Sequence, residues 1–287
     1  MRGEEQLDAE LDAIASHAGK LGVPVPTVRR RRLTSGAGEL SALQWGEGEP
    51  RLALLHGAGL QARTWNGVLL RLGVPALAID LPGHGESDRL PVEGYRVGAM
   101  GDMVCEALDG AGLTVSTLVG HSLGSFVAAR AAVVLGGVGT LAVIDATPHR
   151  VGVSDPTRMH AGTLDELVQA MLERMPHRDP RALERALVRD TRLRADGLRE
   201  WLWDEAFVDA VPLRAAERDS IWRSFEQAAT RTFLLRAGRG GLADDEAREF
   251  LERVPQASVQ VVEDAGHNVH TDRPEWLAGW LRGVLAA

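Results

Sequence analysis

Cysteine, tyrosine and lysine are nearly absent from this 287-residue chain, with Cys105, Tyr95 and Lys20 each standing alone. A single cysteine excludes an intrachain disulfide, and Cys105 is expected to pack as a small apolar residue. The replacement of lysine by arginine, together with abundant alanine and glycine, points to GC-rich coding rather than to mechanism. Long apolar runs are missing as well. None approaches the roughly 20 residues of a membrane span, and Met1 to Asp8 lack the apolar core of an export signal. There is no excess of positive charge: 32 basic residues face 40 acidic ones for a net charge of −8. That balance argues against a general binder of nucleic acid or of anionic membranes. What remains, 45% hydrophobic and 25% charged residues, is the composition of an ordinary globular protein of the cytoplasm. Its length suits one large domain, or one domain with an insertion.

Along the chain, Leu7, Leu11 and Ile14 recur at helical spacing, which predicts an N-terminal helical extension over 1–28, closed by a linker with Pro24 and Pro26. Arg29 to Arg32 lie beside a Ser35-Gly36-Ala37-Gly38 turn and read as a solvated edge hairpin rather than a nucleic-acid patch. Short continuous apolar runs follow at 52–55, 75–79, 114–119 and 140–144, and again at 232–235 and 258–262. Helical stretches separate the early ones. Such runs, without polar alternation, predict a parallel sheet covered on both faces. A final helix is expected from Pro274.

The interval 150–228 breaks this rhythm. It carries Leu164, Leu167, Val168, Met171 and Leu172 at helical spacing, several aromatics and no strand signal. We read it as an all-helical cap above the C-terminal ends of the strands, where open α/β sheets bind ligands. The expected organisation is therefore a core of 29–149 and 229–287 interrupted by a cap of 150–228.

The most informative segment is Gly120-His121-Ser122-Leu123-Gly124, set between an apolar β-branched run and an alanine-rich helical one. A G-x-S-x-G sequence in that context is a nucleophile elbow: small residues let backbones approach, and the serine Oγ is presented at a sharp strand-to-helix turn. The Leu123 N–H would sit at a helix N-terminus, facing developing negative charge. A serine nucleophile needs a base and an orienting acid. His267, on a glycine-containing loop after the last strand, is the candidate base. His270 lies nearby, but the pair lacks further ligands at metal spacing. His56-Gly57-Ala58-Gly59 follows an apolar strand and can supply a second oxyanion donor from Ala58, with His56 in a structural role. Asp80 is expected to brace the turn-rich loop to Asp88.

Together, His56-Gly57, Asp80-x-Pro82-Gly83-His84-Gly85-x-Ser87, Gly120-x-Ser122-x-Gly124 and Gly266-His267 resemble the α/β-hydrolase superfamily, in its capped serine-hydrolase branch. The resemblance runs from about residue 30 to the C-terminus, the cap excepted. It implies an α/β fold with a mostly parallel central sheet, helices on both faces and a helical cap inserted after the strand ending near Asp145. It also implies Ser122 as nucleophile, His267 as base, and Ala58 and Leu123 as oxyanion donors. Serine at the elbow is unlike the related epoxide hydrolases and haloalkane dehalogenases, which use aspartate there.

One position departs from the pattern. The acid usually follows the penultimate strand in a Gly-x-x-Asp context, and Gly241 stands there instead. The acid is then Asp145, or Asp244 or Asp245 after a shift of the loop, or it is absent. Asp145 is preferred, because it ends a strand on the correct side of the sheet and keeps the chain order Ser, Asp, His. The expected function is hydrolysis of a small, fairly apolar ester, thioester or lactone through an acyl-enzyme on Ser122, with a small-molecule substrate and no metal or organic cofactor. A carbon–carbon bond hydrolase or biosynthetic cyclase is an alternative on the same fold, as is a ligand-binding protein that has lost turnover.

Overall fold

In the computed structural model, residues 2–149, 161–174, 179–210 and 215–287 are described. The chain begins with α1 (Arg2–Leu21). Ile14 and Ala18 are buried, and Leu7 and Leu11 pack beside them against the core, the one-sided stripe that a 3.6-residue period generates. β1 (Val28–Ser35) and β2 (Gly38–Trp45) form an antiparallel hairpin. The arginine tract is tied down along it: Arg30 donates to the Ser41 hydroxyl, Arg31 to the Gln44 side chain and Arg32 to the Glu86 carbonyl.

β3 (Leu52–Leu55) is followed by a 3₁₀ turn at Ala62–Trp65, α2 (Asn66–Leu72) and β4 (Ala76–Ile79). Then come α3 (Val97–Gly110), β5 (Thr117–His121), α4 (Leu123–Leu135) and β6 (Thr140–Ile144). β5 starts later than its apolar run, since the N–H groups of Ser116 and Thr117 both donate to the Arg51 carbonyl at the strand's entry. Further on lie α5 (Leu164–Arg174), α6 (Pro180–Asp190), β7 (Thr191–Leu193), β8 (Arg199–Trp201), α7 (Phe207–Ala210) and α8 (Ala215–Gln227). The chain closes with β9 (Arg231–Arg239), α9 (Asp244–Arg253), β10 (Ala257–Gly266), α10 (Val269–Asp272) and α11 (Pro274–Ala286).

The large sheet has the order β1-β2-β4-β3-β5-β6-β9-β10. It is parallel from β4 to β10, and the β1–β2 hairpin extends it antiparallel at one edge. β3, β4, β5 and β6 are buried at every position, as strands covered on both faces must be. One apolar layer joins α3, α4, α8 and α9 to the sheet through Met100, Phe126, Phe225 and Phe250. The opposite layer joins α1, α2 and α11 through Ile14, Leu69 and Leu281.

The interval between β6 and β9 is not all helical, which corrects the expectation for 150–228. β7 and β8 pair antiparallel, with Thr191 opposite Trp201. Arg194 N–H donates to the Leu198 carbonyl across an Ala195-Asp196-Gly197 turn, and Gly197 takes φ 84°. An Asp-Gly pair closing a hairpin is the local signal for this. It is hard to see because each strand is only three residues long. Within the expected cap, residues 150–160, 175–178 and 211–214 lie outside the described residues.

Candidate active site

Ser122 follows β5 directly and precedes α4, with φ 51° and ψ −121°. A non-glycine residue held there stores about 1–3 kcal/mol of strain, kept only where the surroundings enforce it. Here they do. Ser122 N–H donates to the Ile144 carbonyl and Ser125 N–H to the Ser122 carbonyl. The Ser125 hydroxyl donates back to Gly120. The motif glycines are steric requirements: a Cβ on Gly120 would lie 2.3 Å from Ser125 Cα, and one on Gly124 would lie 2.3 Å from the Leu55 carbonyl oxygen. Leu123 is the first residue of α4, so its N–H belongs to the unsatisfied amides of a helix N-terminus.

The loop carrying His267 is brought against this elbow by His121, the residue before the serine. His121 Nε2 lies 2.9 Å from the His267 carbonyl, and the two rings are 4.7 Å apart. That contact fixes the His121 proton on Nε2. Burial, then the neighbouring His270 and His267, holds the His121 pKa well below the usual histidine range. His121 is therefore a neutral strut.

Asp145 follows β6 at φ 48°, and its side chain is fully buried while that of His267 is 47% exposed. Its Oδ2 lies 2.7 Å from His267 Nδ1 and its Oδ1 accepts the Ala237 N–H at 3.0 Å. Both carboxylate oxygens are thus satisfied, as a buried charge requires. The other two candidates lie elsewhere. Asp244 is exposed and pairs with Arg236, while Asp245 accepts the Glu246 N–H in the first turn of α9. Gly240, beside Gly241, gains a structural meaning too. A Cβ on Gly240 would lie 2.4 Å from Asp145 Oδ2; the carboxylate occupies the space of the missing side chain.

The loop after β3 lies against the serine, since a Cβ on Gly57 would be 3.2 Å from Ser122 Cβ. Gly57 to Leu60 form a turn closed by Leu60 N–H to the Gly57 carbonyl, with Gly59 at φ 72°. Two imidazoles hang this loop from the segment after β4. His56 donates Nδ1–H to the Gly57 carbonyl and accepts the Leu81 N–H at Nε2. His84 donates Nδ1–H to the Pro82 carbonyl and accepts the Gly59 N–H at Nε2. Burial pushes His56 down to about 4 and, helped by the proximity of His56, His84 down to about 3. Asp80 accepts the N–H groups of Ala62 and Glu86, and it lies 3.8 Å from Arg30, itself 3.8 Å from Glu10 of α1.

Sequence reasoning placed Ser122, Ala58, Leu123, Asp145 and His267, and these converge on one end of the sheet. Trp203 is one of several aromatics in the expected cap, with nothing to single it out; its indole stacks on His84 and its Nε1 lies 3.8 Å from a Cβ built on Gly59, and no spacing in the chain signals that contact. Sequence reasoning also gave no role to His84 and His121, although both sit inside the motifs. His270 packs beside His121 and Trp65. Among the described residues no group of three or more His, Cys, Asp or Glu is placed to hold a metal ion, and no helix is long and apolar enough to cross a membrane.

A serine elbow over a mostly parallel, helix-covered sheet, with a carboxylate–imidazole pair beside it, defines a hydrolase of the α/β class. The model of the alpha/beta hydrolase family matches residues 52–280, and the chain belongs to that family. It is 33% identical to the esterase Rv0045c of Mycobacterium tuberculosis, over 96% of this chain and 95% of that protein. The crystal structure of that esterase superposes with a TM-score of 0.81 at 30% identity, covering 97% of this chain and 98% of the other. The esterase YbfF of Escherichia coli is 26% identical over 73% of this chain and 82% of its own length.

Proposed function

We propose that this protein is a serine carboxylic-ester hydrolase acting on a small, fairly apolar ester, thioester or lactone. Ser122 is the nucleophile, His267 the general base and Asp145 the acid that orients it. The observation that carries the reading is the 2.7 Å contact from Asp145 Oδ2 to His267 Nδ1, beside a serine held at φ 51°. Asp145 fixes the proton on Nδ1 and leaves Nε2 as the basic nitrogen.

His267 Nε2 takes the Ser122 proton as Oγ attacks the substrate carbonyl carbon. The carbonyl π pair moves to oxygen, and the N–H groups of Ala58 and Leu123 hold that oxyanion. Collapse expels the alcohol, thiol or lactone oxygen, which takes the proton from His267. Water, deprotonated by the same imidazole, then attacks the acyl carbon; the adduct collapses with cleavage of the acyl–Oγ bond, Ser122 Oγ takes the proton back from His267, and the acid is released. The interval 150–228 acts as a cap, with Trp203 supplying apolar surface at the oxyanion loop. What supports an ester as substrate is the full-length similarity to an esterase.

Intact-mass labelling with a fluorophosphonate tests the reading, alongside hydrolysis of p-nitrophenyl butyrate. One adduct on the wild type, none on Ser122→Ala or His267→Ala, and a sharp fall in Asp145→Asn are expected. A folded wild type that neither labels nor hydrolyses would overturn it.

A further inference from the structure

Resting on the serine-hydrolase reading above, we infer that His84 is a positioning residue for the oxyanion loop, transmitting the placement of the cap segment Leu202–Asp204 to the Ala58 N–H.

The loop from His56 to Leu60 belongs to no helix or strand, so its shape depends on its tethers. Ala58 lies between two of them: the His56 ring, engaged with Leu81 N–H at 2.9 Å, and the Gly59 N–H, received by His84 Nε2 at 3.1 Å. An imidazole accepts at Nε2 only while the proton stays on Nδ1. The Pro82 carbonyl, 2.9 Å from Nδ1, fixes that tautomer. His84 is completely buried, so its ring is held in place by the groups packed around it.

What places His84 comes from beyond β6. Gly83 carbonyl accepts the Asp204 N–H and Gly85 N–H donates to the Leu202 carbonyl, both at 2.7 Å. The residues on either side of His84 are thereby stitched to the cap segment like neighbouring strands. Asp204 also accepts the Tyr95 hydroxyl at 2.6 Å. The imidazole itself stacks on Trp203 with an interplanar angle of 17° and meets Phe207 edge-on at 4.8 Å. A continuous set of packed and hydrogen-bonded groups therefore runs from the cap through one ring to the loop that presents Ala58.

Removing the acceptor leaves the Gly59 N–H without that tether and frees the adjoining Ala58 peptide to turn. The negative oxygen that Ala58 receives develops only in the transition state. The loss must therefore fall on kcat and spare KM, which is what separates positioning from a general structural role.

The test is steady-state hydrolysis of p-nitrophenyl butyrate together with inhibition by a trifluoromethyl ketone, whose adduct with the serine carries the oxyanion. His84→Leu should lower kcat about 10–100-fold, the scale of a misplacement near 1 Å, and weaken the ketone by the same factor with KM within about twofold. His84→Gln, which keeps an acceptor near the Nε2 position, should recover most of both. His84→Asn, whose oxygen falls at the Nδ1 position, should not, and it supplies the same contrast if the leucine variant does not fold. Trp203→Leu should show the same split more weakly. Equal loss in the glutamine and asparagine variants, or a loss confined to KM, would overturn the inference while leaving Ser122 chemistry intact. A wild type without Ser122-dependent turnover would overturn both readings.

Discussion

Replacing Gly240 by alanine adds one carbon at a position where the structure leaves no room for it. The new Cβ would lie 2.4 Å from Asp145 Oδ2 and 2.8 Å from Ala237 Cβ, against a normal separation of about 3.5 Å. The carboxylate must retreat by roughly 1 Å, and Oδ2 is the atom 2.7 Å from His267 Nδ1. A misplacement of that size costs about 10² in rate. Overpacking of this kind destabilises by about 1–3 kcal/mol, so the variant should still fold. Loss of the orienting carboxylate altogether costs about 10⁴ in kcat. The informative assay is a double-mutant cycle on kcat/KM. Gly240→Ala should lower it about 100-fold in the wild-type background and less than threefold in the Asp145→Asn background, because the damage passes through a group already disabled. Equal losses in both backgrounds, or wild-type activity in the single variant, would refute the assignment of Asp145 as the acid.

Three further outcomes follow from the geometry. Ser122→Gly releases a strained non-glycine conformation at φ 51°, and should raise stability by about 1–3 kcal/mol in urea unfolding while abolishing fluorophosphonate labelling; a variant no more stable than wild type would mean the elbow is unstrained. His56 and His84 are buried neutral, at about 4 and about 3, whereas the unfolded chain protonates each near 6.5. The unfolded state then binds more protons below pH 6.5, so stability falls with pH by about 2 kcal/mol per histidine between 6.5 and 5; His84→Gln should flatten that slope in urea titrations at the two pH values. Gly279 lies inside α11 with nothing within 4 Å of a built Cβ. Gly279→Ala should therefore stabilise by about 1 kcal/mol without changing kcat, and a loss of stability would show that the position is packed.

The sheet was legible because its physics is local. Leu52–Leu55, Ala76–Ile79 and Thr140–Ile144 are buried on both faces, so their apolar character is continuous and survives in a linear reading. The elbow was legible for a related reason: Gly120 and Gly124 are demanded by backbone packed against them, and a short motif records that demand. The β7–β8 hairpin was not legible, because three-residue strands fall below the length at which periodicity can be read. The tethers on the loop from His56 to Leu60 were invisible for a different reason. His84 meets Trp203, Phe207 and Gly59, partners spread from residue 59 to residue 207, and no window along the chain contains that encounter. Glu10 is similar: one acidic residue of an amphipathic helix reads as solvated, yet it is buried beside Arg30.

The sequence favours Asp145 as the acid but leaves Asp244 and Asp245 open, because the choice depends on sheet order. Ser122 leaves β5, Asp145 leaves β6, Gly240 follows β9 and His267 follows β10, and these four strands are consecutive neighbours. The histidine loop must cross the end of β9 to reach the serine, and a carboxylate reaching Nδ1 has two possible origins beneath that crossing, the ends of β6 and β9. Asp145 rises from β6 and is anchored to β9 through the Ala237 N–H, filling the volume that a side chain at 240 would need. A side chain at 240 and Asp145 exclude each other sterically, so Gly240 and the aspartate after β6 are one feature seen from two strands. With Asp145 as the proposed acid, moving the carboxylate to 240 requires two changes together. Gly240→Asp alone should collide with Asp145 and inactivate. Paired with Asp145→Gly, which vacates the space and suits the positive φ, it should restore part of the activity that Asp145→Gly alone loses. No recovery in the double variant, with both proteins folded, would refute that exclusivity.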